Sequence, residues 1–377
     1  MQEFDFAIVG AGIAGVSAAY HLAPRARVVV LEREHVAAYH TTGRSAALHS
    51  ETYGSAEIRA ITVASGRFYR QPPKGFADHP LLKPRGALIA GHAGQQAATR
   101  QAAVEFQKLV PTVRWLEPAE VLRRHPLLRP EACAGGAVFE EAEDMDVAAI
   151  HGGFLKGARA AGGVLRLNAE VSGLERRGGR WTIRLADGET LAAANLVNAA
   201  GAWADVIARL AGAKAVGLVP KRRTAFTFDA PAGLALGDLP MVIDFDETWY
   251  VKPEVGQFLG SPADETPSPP TDAQPEELDI ALAVDRIQTA TTLQINRIKN
   301  KWAGLRSFVA DKNLVVGYDG AIAGLFWLAG QGGYGIQTAA AAGRLAAALA
   351  LGESLPGDIA GLGVSEAALS PQRLTSR

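Results

Sequence analysis

The sequence predicts an α/β fold with an α+β second domain, and three observations predict it. The first is a strand–turn–helix at the N-terminus, where the apolar residues 6–9 lead into Gly10-Ala11-Gly12-Ile13-Ala14-Gly15. The second is a series of short alternating segments from Lys221 onward, which has the texture of an antiparallel sheet. The third is another strand–glycine–helix far downstream, residues 326–329 followed by Gly330-Gln331-Gly332-Gly333-Tyr334-Gly335. The chain leaves a nucleotide-type domain and later returns to it.

The N-terminal run suits a parallel strand covered on both faces. Gly10 permits the tight turn, and Gly12 lets a pyrophosphate approach the backbone. Gly15 lets the helix expected over residues 14–22 pack close to the strand. The helix start offers free N–H groups and a positive dipole end to phosphates. A second strand over 27–31 ends in Glu32, at the distance where a ribose-binding acid belongs, followed by Arg33. Strand, turn, helix, strand and acid together make a Rossmann-like βαβ unit.

Residues 39–47 are small, polar and glycine-containing, a loop suited to cofactor contacts. A helix follows over 56–68 and stops at Pro72-Pro73. Residues 76–143 read as an excursion with a strand at 87–90, a helix at 96–109 and a turn at His125-Pro126. Asp144-Met145-Asp146 caps a helix that runs to residue 160 and breaks at Gly162-Gly163. Strands 170–176 and 180–185 form a hairpin about Gly178-Gly179. Residues 196–200 form a strand before the turn at Gly201, and 203–210 are helical. Short strands are expected at 224–228, 241–245, 248–252 and 257–260, and an exposed proline-rich loop at 262–275. A helix over 278–292 leads to strands at 302–308 and 314–318. Residues 338–351 form a buried helix rather than a membrane span, because Arg344 interrupts them. The expected nucleotide-binding domain is discontinuous, at 1–75, 144–213 and 310–377. The substrate domain takes 76–143 and 214–309.

A chain of 377 residues is long enough for two cores. A net charge of -1 gives no electrostatic case for nucleic acid. The single cysteine, Cys133, excludes an internal disulfide and a cysteine metal cluster. The histidines and acids show no metal spacing, and no GxSxG is present. Asp5 precedes the first apolar run and no basic segment does, so a signal peptide is not expected. A cytoplasmic location is expected, with peripheral membrane attachment as the alternative.

Six segments carry a resemblance through the chain. They are the first glycine turn, His40-Thr41-Thr42-Gly43-Arg44-Ser45-Ala46-Ala47, Asn198-Ala199-Ala200-Gly201-Ala202-Trp203, Pro220-Lys221-Arg222-Arg223, Trp302-Ala303-Gly304-Leu305-Arg306-Ser307-Phe308 and Gln331-Gly332-Gly333-Tyr334-Gly335-Ile336-Gln337. In this order they resemble the D-amino acid oxidase and glycine oxidase superfamily. They look most like the FAD-dependent D-amino acid dehydrogenases typified by D-arginine dehydrogenase. The resemblance implies a non-covalent FAD. Gly10, Gly12 and Gly15 would hold its pyrophosphate, with Ala14 beside them, and Glu32 its adenosine ribose, with Arg33 beside it. Val171 would approach the adenine, and Thr42, Arg44, Ser45 and Ala47 would line the path toward the ring. Gly332, Gly335, Ile336 and Gln337 would close over the ribityl and ring end, with Gly201 among the remaining contacts.

The resemblance also implies oxidative deamination of a D-amino acid by hydride transfer to flavin N5. The imino acid would hydrolyse to 2-oxo acid and ammonia, and a quinone or other acceptor would reoxidise the flavin. Arg223 and Arg306 stand where the family holds the substrate carboxylate, a role for which a planar guanidinium fork is suited. Tyr250 and Tyr53 would bond the carboxylate or close the site, Gly333 would offer its carbonyl to the amine, and His49 is a further candidate. Two positions depart. Leu48 replaces a histidine, and Ala87 replaces the glutamate that pairs with a guanidinium side chain. Neutral or apolar side chains are therefore expected over D-arginine, unless Glu51 supplies the missing charge. The alternatives are oxidation of a secondary amine or a 2-hydroxy acid on the same scaffold, or a flavin-binding subunit without turnover.

Overall fold

The computed structural model describes residues 2–237 and 239–375, and its strands form three sheets. In the first, Gln2–Val9 lies parallel between Thr190–Asn198 and Val28–Leu31. Val164–Arg166 extends it in parallel beyond Val28–Leu31. One edge of Thr190–Asn198 is shared. Its first half takes Arg180–Leu185 of the antiparallel hairpin with Val171–Arg177, and its last residues take Leu325–Ala329 in parallel. Val315–Tyr318 completes the sheet against Leu325–Ala329.

The first strand shows why this sheet is covered on both sides. Phe6 and Ile8 join a core with Val16, Ala19 and Leu345, whereas Ala7 and Val9 join another with Trp181, Leu196 and Trp327. A strand buried on both faces needs an unbroken apolar run, and burying each larger side chain contributes about 1.5–3 kcal/mol. Helices Ile13–Leu22, Ala56–Arg70, Val147–Ala160 and Gly335–Ala350 pack together on one face. Ser55 and Asp146 cap two of them, accepting from the N–H groups of Ile58 and Ala149. Gly335–Ala350 is almost wholly buried, and Arg344 reaches out to Asp358. Among the described residues no helix is long and apolar enough to cross a membrane.

The second sheet has nine strands. Val219–Asp229 runs antiparallel to Ile298–Phe308 over its whole length and to Gln257–Ser261 over its last residues. Tyr250–Glu254 and Met241–Asp244 continue from there. Met241–Asp244 then pairs in parallel with Ala87–Ala90, which leads to Gly136–Phe139 and Arg114–Leu116. Helix Glu277–Ala290 buries Ile280, Ala283 and Ile287 against the sheet beside Phe226 and Phe258. A small third sheet joins Leu48–His49, Glu143–Met145 and Leu82–Pro84.

The mixed α/β architecture is as expected, but two readings change. Lys221, Arg222 and Arg223 belong to a strand that starts five residues before the expected one, because Ile298–Phe308 supplies it with a full-length partner. The stretch 262–275 is not a free loop. Thr266–Pro267 pairs with Arg222 and Lys221, and Pro262, Ala263 and Ala273 are buried.

Candidate active site

A cavity of about 460 Å³ lies where the two large sheets meet. One wall is the first glycine turn. Gly10 adopts φ +106° and lines the cavity together with Gly12 and Ala14. Gly15 does not line it. A Cβ there would lie 1.9 Å from the Gly10 carbonyl oxygen, so its lack of a side chain serves the contact of helix with turn. Glu32, only 8% exposed, accepts from the N–H groups of Ala11 and Glu34, one on each carboxylate oxygen. Each oxygen keeps a lone pair for a ribose hydroxyl. Arg33 and Val171 line the same cavity, and the Arg33 guanidinium stands 5.2 Å from the Trp203 ring centre.

Thr42, Arg44, Ser45, Ala47 and Gly201 also line the cavity. Thr42 Oγ1 accepts from the Ile13 N–H at 3.0 Å, taking one of the free donors at the helix start. The Arg44 side chain, 15% exposed, is held by the chain itself. It donates to the carbonyls of Ala273 and Ala303 and pairs with Asp272, so it ties down the 271–273 segment. At the other glycine turn, Gly332, Gly333, Gly335, Ile336 and Gln337 line the cavity. Gln337 donates to Thr62 Oγ1 at 2.8 Å and accepts from the Ser50 N–H at 3.4 Å, which joins that helix to the loop after Leu48–His49. Ser307 Oγ and Gln331 Nε2 are buried in the lining with no hydrogen-bond partner among the described residues. Unpaired polar groups, a close-approach turn and a lone-pair-bearing acid fit the flavin dinucleotide that the resemblance implies.

Arg223 and Arg306 come together beside this second turn. They lie on adjacent strands, Arg306 opposite Lys221 and Arg223 opposite Gly304. Arg306 is 9% exposed and donates through Nη2 to the Tyr53 hydroxyl. Gly333 passes directly over it, since a Cβ at Gly333 would fall 2.2 Å from Arg306 Nη2. Tyr53 also meets Tyr334 edge to face at 5.7 Å. Glu265 was not singled out from the sequence. Its Oε1 accepts from Arg306 Nη1 at 3.0 Å and from Arg223 Nη2 at 3.4 Å, and its Oε2 from Lys221 Nζ at 2.9 Å. Burial alone would raise the Glu265 pKa. The Lys221 hydrogen bond and the charges of Arg306, Lys221 and Arg223 outweigh that and hold it below the usual carboxylate value.

Next to the two arginines the cavity becomes apolar. Tyr250 is opposite Ile243, Met241 is opposite Ala87, and Ala87 is opposite Phe139, so one sheet face presents them together. Leu48, Ile89, Phe106 and Ala225 complete the lobe, and the rings of Phe106 and Phe139 meet edge to face at 5.2 Å. Ala87 is 4% exposed and offers no charge. Glu247, in the turn after Met241–Asp244, also lines the cavity.

The expectation of His49 in the site is overturned, and Glu51 does not supply the alternative charge. His49 faces away from the cavity. It is fully buried beneath Gly66 of helix Ala56–Arg70, with no hydrogen bond to either ring nitrogen among the described residues and Glu143 Oε2 3.9 Å from Nδ1. Burial and the nearby Arg70 charge lower its pKa to about 4. The cause is strand alternation: Leu48 points to the cavity, so its neighbour must point to the helix. Glu51 pairs with Arg70 at 3.5 Å and does not line the cavity.

The family described as FAD dependent oxidoreductase matches residues 5–349 of the chain. The chain is 24% identical to FAD-dependent oxidoreductase domain-containing protein 1 of Bos taurus, over 93% of this chain and 82% of that protein. It is 26% identical to the mitochondrial dimethylglycine dehydrogenase of Rattus norvegicus, over 68% of this chain but only 30% of that protein's length. Among solved structures, L-proline dehydrogenase from P. horikoshii superposes with a TM-score of 0.84 at 22% identity, covering 100% of this chain and 98% of that one.

Proposed function

Because the chain belongs to the DAO family of FAD-dependent oxidoreductases, we propose that it oxidises D-α-amino acids with neutral or apolar side chains. The products are an imino acid and, after hydrolysis, a 2-oxo acid and ammonia. One observation carries the reading. Arg223 and Arg306 converge beside the Gly332-Gly333 turn, with Tyr53 on Arg306 and an apolar lobe adjoining them.

In this reading the substrate carboxylate docks on the cavity side of the two guanidiniums, whose forks fit it in a planar, charge-assisted way. Tyr250 and Tyr53 flank it, and the Gly333 carbonyl accepts from the amine. These contacts fix the direction of the Cα–H bond, and such positioning is a large part of the rate enhancement. The substrate ammonium must lose a proton before its Cα–H bond can break as hydride. Among the described residues no histidine or lysine lines the cavity beside the two arginines to act as general base, so the proton passes to water. Bound FAD supplies the two-electron acceptor. Gly10, Gly12 and Glu32, which line the cavity, would hold its dinucleotide end. Water then adds to the C=N carbon and ammonia leaves. A quinone or another carrier takes the electrons onward.

A second reading is oxidation of a secondary or tertiary amine bearing a carboxylate. It is favoured by the substrates in the names of two similar proteins, dimethylglycine dehydrogenase and L-proline dehydrogenase. The same clamp would serve it. Anaerobic bleaching of the flavin separates the two. D-Methionine, D-leucine and D-phenylalanine should bleach it and release ammonia. Bleaching by dimethylglycine or proline alone supports the second reading, and bleaching by neither class overturns both.

A further inference from the structure

Val219–Asp229 and Ile298–Phe308 place three cations on one face of two paired strands. Lys221 and Arg223 alternate along one strand, and Arg306 stands directly opposite Lys221 on the other. Like charges held this way repel, and each guanidinium would swing toward solvent or toward a separate partner. Among the described residues Glu265 is the acid whose carboxylate pairs with all three. A single oxygen, Oε1, accepts from both arginines, while Lys221 holds the other oxygen. Glu265 itself is fixed by the backbone. Thr266–Pro267 pairs with Arg222 and Lys221, the Ser268 N–H donates to the Pro220 carbonyl, and Arg223 Nε donates to the Asp264 carbonyl. Arg223 and Arg306 line the cavity, and Glu265 does not.

We infer that Glu265 is a positioning residue, which binds Arg223 and Arg306 from behind into a single clamp and aims their remaining N–H groups at the substrate carboxylate. The inference rests on the proposed carboxylate-binding role of these arginines. It gives the proline-rich segment 262–275 a function in substrate recognition that its composition does not announce. Glu265 also holds the two arginines close to one another. A donor set ordered in advance loses less freedom on binding.

The test is binding of benzoate, a carboxylate with no oxidisable Cα–N bond, to FAD-loaded protein, read from the flavin absorbance change. D-Leucine kinetics run alongside. Glu265→Gln should weaken benzoate roughly tenfold and raise KM for D-leucine by a similar factor, with FAD content retained and kcat changed less. Glu265→Asp keeps the charge but not the reach, and it should also weaken benzoate. Full affinity in Glu265→Asp would mean that charge alone matters and would overturn the positioning role. Unchanged or tighter binding in Glu265→Gln would overturn it too, the latter by showing that Glu265 competes for the clamp. Should Glu265→Gln lose FAD, the Glu265→Asp result decides. A wild type that binds benzoate but fails to oxidise any D-amino acid removes the proposed activity, while the Glu265 comparison still stands or falls on benzoate.

Discussion

Arg306→Ala is the most informative single change at the clamp. Arg306 is 9% exposed, bonds Glu265 at 3.0 Å through one terminal nitrogen and the Tyr53 hydroxyl through the other, and lies under Gly333. On the proposed function its removal deletes a charge-assisted contact to substrate, and it leaves the Tyr53 hydroxyl without its donor. Losing one partner of a hydrogen-bonded charge pair in a closed site costs about 2–5 kcal/mol. That corresponds to a fall in kcat/KM of roughly thirtyfold to several thousandfold, expressed mainly in KM. Steady-state kinetics on D-leucine with an artificial electron acceptor measure it, and the FAD-to-protein absorbance ratio shows that cofactor is retained. Arg306→Lys should recover little, because a point charge cannot reproduce the fork. Wild-type kcat/KM in Arg306→Ala would refute the anchor, and loss of FAD with no change in KM per loaded enzyme would make Arg306 structural. Arg223→Ala should follow the same pattern.

Glu32→Ala should weaken FAD binding by about 1.5–3 kcal/mol, the worth of a hydrogen bond to a charged group; equilibrium dialysis measures it, and acid precipitation of the wild type should release all yellow colour into the supernatant. Ala87→Glu should improve D-arginine relative to D-leucine in kcat/KM, since Ala87 is packed among the apolar lobe residues; no gain would place residue 87 outside the side-chain pocket. If the wild type already prefers D-arginine, Glu247 rather than Glu51 is the acid responsible, and Glu247→Gln should abolish that preference. Folding should weaken on acidification. The pKa of His49 is depressed from 6.5 to about 4 by burial and Arg70, so its contribution is complete above pH 6.5 and is lost as pH falls toward 4. His21 and His125 are depressed to about 4 as well and His151 is lowered too, so His49→Leu should flatten part, not all, of the fall in Tm over that window.

The nucleotide half was legible because its signals are local. A buried run, a glycine turn and a terminal acid lie within residues 6–32, and each meets its physical need inside one βαβ unit. The clamp was legible only in part. Arg223 and Arg306 stood out through the resemblance, but their shared partner Glu265 sits in a proline-rich stretch where an acid reads as solvated. Its role depends on pairing between residues 221–222 and 266–267, which no periodicity reports. His49 failed for a simpler reason. In a two-residue strand, the neighbour of a cavity-facing leucine faces the other way, and a one-position displacement from the family pattern moves a ring from cavity to core. Phe106 and Phe139 lie far apart in sequence, on a helix and a strand of the excursion, and only the fold brings their rings into one wall.

The central strand of the first sheet has a consequence for how the protein is made. Gln2–Val9 is synthesised well before Thr190–Asn198, its partner across one edge, and Leu325–Ala329 must then join that partner. At about 5–20 residues per second, translation leaves this apolar strand without its inner neighbour for roughly ten to forty seconds. Through that interval the nascent chain presents an unpaired, hydrophobic edge of the kind that attracts other chains. Newly synthesised chains should therefore depend on holding chaperones more than the finished fold suggests. Solubility on overexpression should improve when elongation is faster through residues 10–190 or when temperature is lowered to weaken hydrophobic association.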